Sequence, residues 1–541
     1  MSACTYRRAG AQGLSAAVLA FALACGALSL QGCGGGGGSS PSNASSSGPG
    51  GGGGTSYTVG GSISGLTGTG LVLQDNGGDN LSVAANATSF TFGTPVSSGQ
   101  AYAVTVATQP SNPVETCTVS GGSGTASAAV NSVAVSCAAA GNVATITLDD
   151  FPVNGQPSSG GNTAYVTVRI CAPGSSSNCQ NIDHITVDTG SFGLRILSSV
   201  INPSLLAALP NVNGASPPYL AECQQFGSGY TWGSVRSVDF SVPTTSESVK
   251  GLPVQIIGDM EPAPSPCKSQ AVTNGQMLGN SGYLSAAAFG ANGLIGVGPF
   301  PQDCGQCAFT AEPSSNGTNY LVYTSCTSMS SSSCSPATAA ANLQVINPVA
   351  DFAVDNTGVI IQLPAVSATG VASVSGTMTF GIVAGTTGNN ALGSATVYLA
   401  DPSTGYVRTV YKGTTDTHSY IDSGSNGLYF NDASLTPCTG QATGFYCPGG
   451  ANAPYNGPTS VAESATFEDY SGQHATTIDF TVENENLTDV VAAGLAGTGT
   501  ANEFDWGIPF FFNRTVYTAL GYRPDGTPIT IGTYAAPFYA F

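Results

Sequence analysis

One stretch of this chain occurs twice. His184-Ile-Thr-Val-Asp188-Thr-Gly-Ser-Phe-Gly-Leu-Arg-Ile196 aligns without a gap with His418-Ser-Tyr-Ile-Asp422-Ser-Gly-Ser-Asn-Gly-Leu-Tyr-Phe430. The His, Asp, Gly, Ser, second Gly and Leu are identical, and Val/Ile and Thr/Ser are conservative. Each copy is an apolar strand running into Asp, a small hydroxyl residue and Gly. A repeat separated this widely predicts two similar halves packed on each other rather than a solenoid.

The residues at the repeat's centre carry chemistry. Two carboxyls brought together across a pseudo-twofold axis share one proton, because like charges about 3 Å apart repel strongly. The ionised partner, Asp188 or Asp422, can then take a proton from a bound water. The other can donate to a substrate carbonyl, which is hydrolysis by general acid–base catalysis without metal or cofactor. Thr189 and Ser423 follow the acids. Gly190 and Gly424 are expected to let the backbone turn sharply and bring an N–H to each carboxyl. Ser191 and Ser425 can hydrogen-bond the outer carboxyl oxygens.

Composition narrows the class of partner. Eleven Lys and Arg stand against 30 Asp and Glu, a net charge of −19, so the basic surface needed to bind nucleic acid or anionic lipid is missing. Low charge, 73 glycines and Val/Ile/Thr/Tyr-rich runs between Gly, Pro and Asn predict an all-β chain. Its 541 residues are enough for more than one domain.

Residues 1–32 are read as an export signal: Arg7 and Arg8 precede a small-residue apolar stretch from Gly13 to Leu30. Leu30-Gln31-Gly32-Cys33 resembles the lipobox of bacterial lipoproteins, which implies acylation of Cys33 and a membrane anchor without a spanning helix. Gly34 in place of an inner-membrane-retaining aspartate implies the outer membrane. Residues 33–55 have the composition of a flexible tether. With Cys4, Cys25 and Cys33 set aside, an even number of the 15 cysteines remains, as a disulfide framework in an oxidising compartment requires. The expected pairs are Cys117–Cys137, Cys171–Cys179, Cys223–Cys267 and Cys438–Cys447, with Cys304, Cys307, Cys326 and Cys334 pairing among themselves. A zinc site at Cys304-Gly-Gln-Cys307 would need two further ligands and reduced thiols, and no metal is expected.

Residues 56–138 carry short alternating segments between turns and are expected to form a β-sandwich stapled by Cys117 and Cys137. The segment resembles the small Ig-like modules of exported bacterial proteins. Residues 141–541 form a much larger unit, with helices expected near Pro203–Leu209, Gly282–Phe289 and Asn513–Leu520. His184 and His418, four residues before each Asp, are expected to be structural. A Ser/His/Asp triad finds no G-x-S-x-G elbow among these residues.

Asp188-Thr-Gly-Ser and Asp422-Ser-Gly-Ser resemble the two active-site motifs of pepsin-like aspartic peptidases. Phe226-Gly227-Ser228-Gly229-Tyr230-Thr-Trp232-Gly is similar to the flap hairpin that covers substrate in that family. Asn292-Gly-Leu-Ile-Gly-Val-Gly298 and Asp505-Trp-Gly-Ile-Pro-Phe-Phe-Phe resemble the strands that brace the two loops, the second followed by a helix at Asn513-Arg-Thr-Val-Tyr. The string D-T-G-S-F-G-L-R is also similar to a bacterial domain family of exported proteins with no assigned function. The resemblance implies a bilobal double-β-barrel and an endopeptidase acting on extended peptide or unfolded protein outside the cytoplasm. An inactive relative gripping peptide or glycan in the same cleft, and a purely adhesive lipoprotein, are the alternatives. The departures are Phe226 in place of the flap tyrosine, Asp505 in an apolar pair, Pro509 removing a backbone donor, Arg195 beside the first loop, and no basic prosegment between Arg8 and Arg169.

Overall fold

The computed structural model describes residues 55–541, apart from residues 109, 111–114, 140, 150, 151, 154, 155, 158–160, 215, 228, 244, 261, 265, 266, 268–271, 274, 275, 278–280, 312–321, 367–369, 387, 440–443, 451–459 and 485–490. Cys33 and Ser228 therefore lie outside the described residues, as does Asp150. The chain divides into two units.

In the N-terminal unit, one four-stranded sheet runs Ser89–Thr91, Val59–Ser64, Val130–Ala139 and Glu115–Ser120. A second runs Asp79–Ser82, Val72–Asp75, Ala101–Thr108 and Ser123–Thr125. Val59, Ile63, Leu73, Phe90, Val104, Val133 and Val135 form its apolar core, and the Cys117–Cys137 disulfide packs into it. Asn76 and Gly77 close the hairpin Val72–Asp75/Asp79–Ser82 with positive φ, which Asn and Gly tolerate best.

The large unit is all-β with short helices. Among the described residues its main sheet has 16 strands; the inner ones run Tyr219–Gln225, Gly229–Ser241, Ser248–Ile257, Phe192–Leu197, Gly293–Val297, Cys179–Asp188, Ala164–Cys171, Val143–Leu148, Val374–Phe380, Gly358–Leu363 and Arg514–Ala519. A seven-stranded sheet runs Ala475–Glu483, Ser460–Glu468, Val407–Tyr411, Thr414–Ile421, Asp505–Trp506, Leu428–Phe430 and Ala496–Thr498. The first Asp ends a strand of the main sheet; the second follows a strand of the other. Both sheets feed one core: Ile146, Val168, Ile185, Ile295, Ile361, Ile421, Phe430 and Trp506 are all in it. In the second half aromatic packing dominates, with Phe504 stacked on Phe430 at 4.9 Å and on Trp506 at 4.3 Å.

Two helix expectations are corrected. Asn513–Leu520 is not helical: Arg514–Ala519 is a strand between Gly358–Leu363 and Phe538–Ala540. Its Thr515-Val516-Tyr517-Thr518 run favours extended backbone, and Asn513 at φ 57° separates it from the short helix Ile508–Phe511. Near Gly282–Phe289 the helix is confined to Ala286–Phe289, because Ser281–Gly282 pairs with the strand Gly229–Ser241. Pro203–Ala208 is helical.

The expected disulfides Cys171–Cys179, Cys223–Cys267 and Cys438–Cys447 are formed, and the remaining cysteines pair as Cys304–Cys307 and Cys326–Cys334. Cys304 and Cys307 are thus joined to each other rather than available as thiolate ligands.

Glu247, in the turn between Gly229–Ser241 and Ser248–Ile257, is only 2% exposed. Burial, and secondly the charge of Asp355, pushes its carboxyl up to about 7. A raised folded value means that the native state holds the proton longer than the unfolded chain. The stabilisation is complete below the ordinary value of 4.5 and is lost as pH rises through about 7. Glu247→Gln should therefore leave stability unchanged at pH 4 and raise it by about 1–2 kcal/mol at pH 8. Urea unfolding at the two pH values measures the difference, and equal effects at both would refute the burial argument.

Candidate active site

The two copies of the repeat build the same local structure. In the first, Cys179–Asp188 pairs in parallel with Gly293–Val297, which pairs antiparallel with Phe192–Leu197. In the second, Thr414–Ile421 pairs in parallel with Asp505–Trp506, which pairs antiparallel with Leu428–Phe430. Register places Gly296 beside Asp188, and Gly507 follows Trp506, the partner of Ile421. A Cβ on Gly296 would stand 2.5 Å from Phe192 N, and one on Gly507 2.1 Å from Gly427 O, so both bracing strands need glycine there. Pro509 removes a donor, as its sequence requires. Gly298 N–H donates to Ser191 O in the first half, and in the second it is Ile508 N–H that donates to Ser425 O.

The loops interlock crosswise. Thr189 N–H donates to Ser423 Oγ at 3.1 Å, and Ser423 N–H donates to Thr189 Oγ1 at 2.9 Å. Each hydroxyl then donates to the carbonyl before the opposite Asp: Thr189 Oγ1 to Ile421 O at 3.0 Å and Ser423 Oγ to Val187 O at 2.8 Å. Only a small hydroxyl residue can receive from one loop and give to the other within this space, which explains Thr in one copy and Ser in the other.

Asp188 and Asp422, 1% and 0% exposed, hydrogen-bond each other. Gly190 N–H reaches Asp188 Oδ1 at 2.8 Å and Ser191 Oγ reaches its Oδ2 at 2.6 Å. Gly424 N–H and Ser425 Oγ do the same for Asp422, at 2.7 and 3.0 Å. The expected turns and N–H contacts form without a left-handed backbone at either glycine, and a second reason for glycine is clearance. A Cβ on Gly190 would lie 2.6 Å from Asp422 Cγ, and one on Gly424 2.6 Å from Asp188 Cγ. Each glycine makes room for the opposite carboxyl.

Burial raises the pKa of both acids. Asp422 is driven well above the ordinary carboxyl range, first by burial and then by the nearby carboxyls of Asp188 and Asp505. Asp188 is restrained by its bonds to Asp422, Ser191 and Gly190 and by the positive charge of Arg195. Both carboxyls are thus raised, Asp422 the more strongly of the two.

Residues 138–541 match the model of a family described as protein of unknown function (DUF3443). The chain is a DUF3443 protein. No curated protein matches it. Both copies of the loop and their bracing strands fall inside the DUF3443 domain.

The hairpin Tyr219–Gln225/Gly229–Ser241 forms at the expected flap, with Cys223 opposite Trp232 and Gln225 opposite Tyr230. Its aromatic side chains, however, are packed inward rather than lining open space. Phe226 is fully buried among Tyr165, Leu197, Ile257 and Phe289, while Tyr230 and Trp232 pack on the Cys223–Cys267 disulfide and Met260. The Trp232 indole N–H donates to Met260 O at 2.6 Å. Gly227 and Gly229 form the tip, where Gly229 is paired with Ser281.

Sequence reasoning noted Arg195 only as an anomaly. Fully buried, it donates through Nη2 to Glu222 Oε1 at 2.6 Å and Asp303 Oδ2 at 2.9 Å, and through Nη1 to Phe192 O at 2.7 Å. Tyr323 donates its hydroxyl to Asp303 Oδ1 at 2.8 Å. The signal was present: Arg in the apolar run Gly-Leu-Arg-Ile-Leu and Glu in Tyr-Leu-Ala-Glu-Cys are charges on buried strands, and each needs the other. His184 pairs with Asp149 and Asp183, and His418 contacts Asn502.

Proposed function

We propose that this DUF3443 protein is an aspartic-type endopeptidase of two-lobed, pepsin-like build, tethered to a membrane through Cys33 and acting on unfolded or extended polypeptide outside the cytoplasm. The observation that carries the proposal is the crosswise loop pair, which holds two buried carboxyls within hydrogen-bond reach of each other. Asp188, the anion, takes a proton from water. The hydroxide so generated attacks the peptide carbonyl as Asp422 gives its proton to the carbonyl oxygen. Collapse of the tetrahedral intermediate returns a proton to the leaving nitrogen. Both carboxyls are buried, so substrate enters as covering atoms move aside.

The full chain, purified in detergent, is incubated with reduced, unfolded proteins between about pH 3 and 7, the range in which a raised carboxyl pair keeps its single proton. Cleavage with new termini, unaffected by a metal chelator, is expected. Binding of the same polypeptides without cleavage at any pH would sink the peptidase and favour a second reading, an inactive peptide-binding protein. The packed aromatic residues of the Phe226 hairpin are the observation that favours that alternative. The tether is checked separately: Cys33→Ser should move the protein from the detergent-rich to the aqueous phase in a partition assay.

A further inference from the structure

Ser425 has one hydroxyl hydrogen and two carboxyl neighbours. Its Oγ lies 3.0 Å from Asp422 Oδ2 and 2.6 Å from Asp505 Oδ2. One hydrogen serves one of these contacts, so the other must be made by a hydrogen that a carboxyl supplies. The bond between Asp188 and Asp422 requires a second carboxyl hydrogen. Counted this way, the three acids hold two protons and one negative charge. Asp505 is fully buried, so an ion there would be costly.

Among the described residues the first half shows no third carboxyl at the equivalent place. Leu294 holds the position equivalent to Asp505, two residues before the glycine of the bracing strand, and Ser191 donates to Asp188. At this position of the bracing strands the halves differ by Leu294 against Asp505. The titratable groups around Asp505 are Asp422 and Tyr420 on the neighbouring strand side, Glu503 on its own segment, Tyr429 opposite in register, and Asp188 beyond Asp422. Arg195, the cation that acts on Asp188, is held by Glu222 and Asp303.

We propose that Asp505 is a third, protonated carboxyl joined to the Asp188–Asp422 pair through Ser425, a positioning residue that keeps the Ser425 hydrogen directed at Asp422. The chain runs from Asp505 O–H to Ser425 Oγ and from Ser425 O–H to Asp422 Oδ2. When Asp505 loses its proton, Ser425 turns its hydrogen toward the new anion and Asp422 loses its donor. This inference rests on the peptidase reading only for its kinetic consequence; the proton count stands without it.

Infrared spectra of the full chain and of Asp505→Asn near neutral pH test the count directly. The band of protonated carboxyl groups should fall by the intensity of one carboxyl in the variant. Equal band intensity in the two proteins overturns the proposal. Asp505→Leu, which copies Leu294, should lose the same intensity and guards against misfolding of the amide variant. If the wild-type chain cleaves polypeptides, Asp505→Asn should stay active and extend the alkaline limb of its pH profile by about half a unit or more, because an amide donates to Ser425 but cannot ionise. An unmoved limb would overturn the relay. Failure of the wild type to cleave at any pH would refute the peptidase reading, while the infrared result would still decide the state of Asp505.

Discussion

Replacing Asp188 or Asp422 by asparagine is expected to remove polypeptide cleavage, each by about three orders of magnitude or more, since either change deletes one end of the proton transfer. The same substitutions should hold or raise stability. Both carboxyls have folded values raised by burial, so their stabilising contribution is present below the ordinary carboxyl value and is lost as pH rises through the raised range. At neutral pH the native protein therefore carries an unfavourable buried charge that an amide relieves. Asparagine keeps the acceptor for Gly190 or Gly424 N–H, and its amide N–H can donate to the serine oxygen where the carboxyl had accepted from it. Loss of activity with a steady or higher unfolding midpoint is the signature of a reactive pair whose geometry costs stability. A pair with only a structural role would give the reverse: little change in cleavage and a fall in midpoint. Assays of both variants beside the wild type, with urea unfolding of the same samples, separate these outcomes.

The second large effect is expected at Arg195. One guanidinium serves two buried carboxyl groups and a main-chain carbonyl, with Phe226 beneath it at 6.0 Å. Asp303 is already raised well above the ordinary range by burial and by Glu222, so removing the cation leaves two acids facing each other in an apolar interior. Arg195→Leu should cost about 3–5 kcal/mol, the loss seen when one partner of a buried pair is deleted. Against a typical total of about 5–15 kcal/mol, that puts the variant near the edge of folding. Arg195→Lys should recover only part, because an ammonium lacks the planar fork that spans Glu222, Asp303 and Phe192 O at once. Denaturant midpoints for the two variants decide the matter; a leucine variant within about 1 kcal/mol of wild type would mean that the cluster contributes little. The effect has a functional side, since Arg195 ties the strand after the first Asp loop to the hairpin strand that carries Glu222.

The parts legible in the sequence are those set by local pattern. Alternating β-branched and aromatic residues made the chain all-β, and the doubled strand-Asp-hydroxyl-Gly-Ser segment marked the two loops. Cysteine spacing was enough for the short-range disulfides. Asn513–Leu520 misled because a helix and an edge-to-edge strand are nearly equal choices for a short apolar run, and its partners Gly358–Leu363 and Phe538–Ala540 lie far off in sequence. The hairpin at Phe226 was legible as a hairpin, but whether its aromatic rings face a cleft or a core depends on what packs beneath them.

By itself the sequence determined that two acids end two equivalent strands, each followed by a hydroxyl and a glycine. Only the tertiary structure decided why those glycines are needed, since the clearance each provides is for a carboxyl on the other loop. It alone also decided that Asp505 reaches Ser425 and that Glu222 and Asp303 meet on Arg195. Local pattern fixes backbone form and side-chain face, whereas the pairing of charges across a core is settled by which strands the whole fold brings within hydrogen-bond reach.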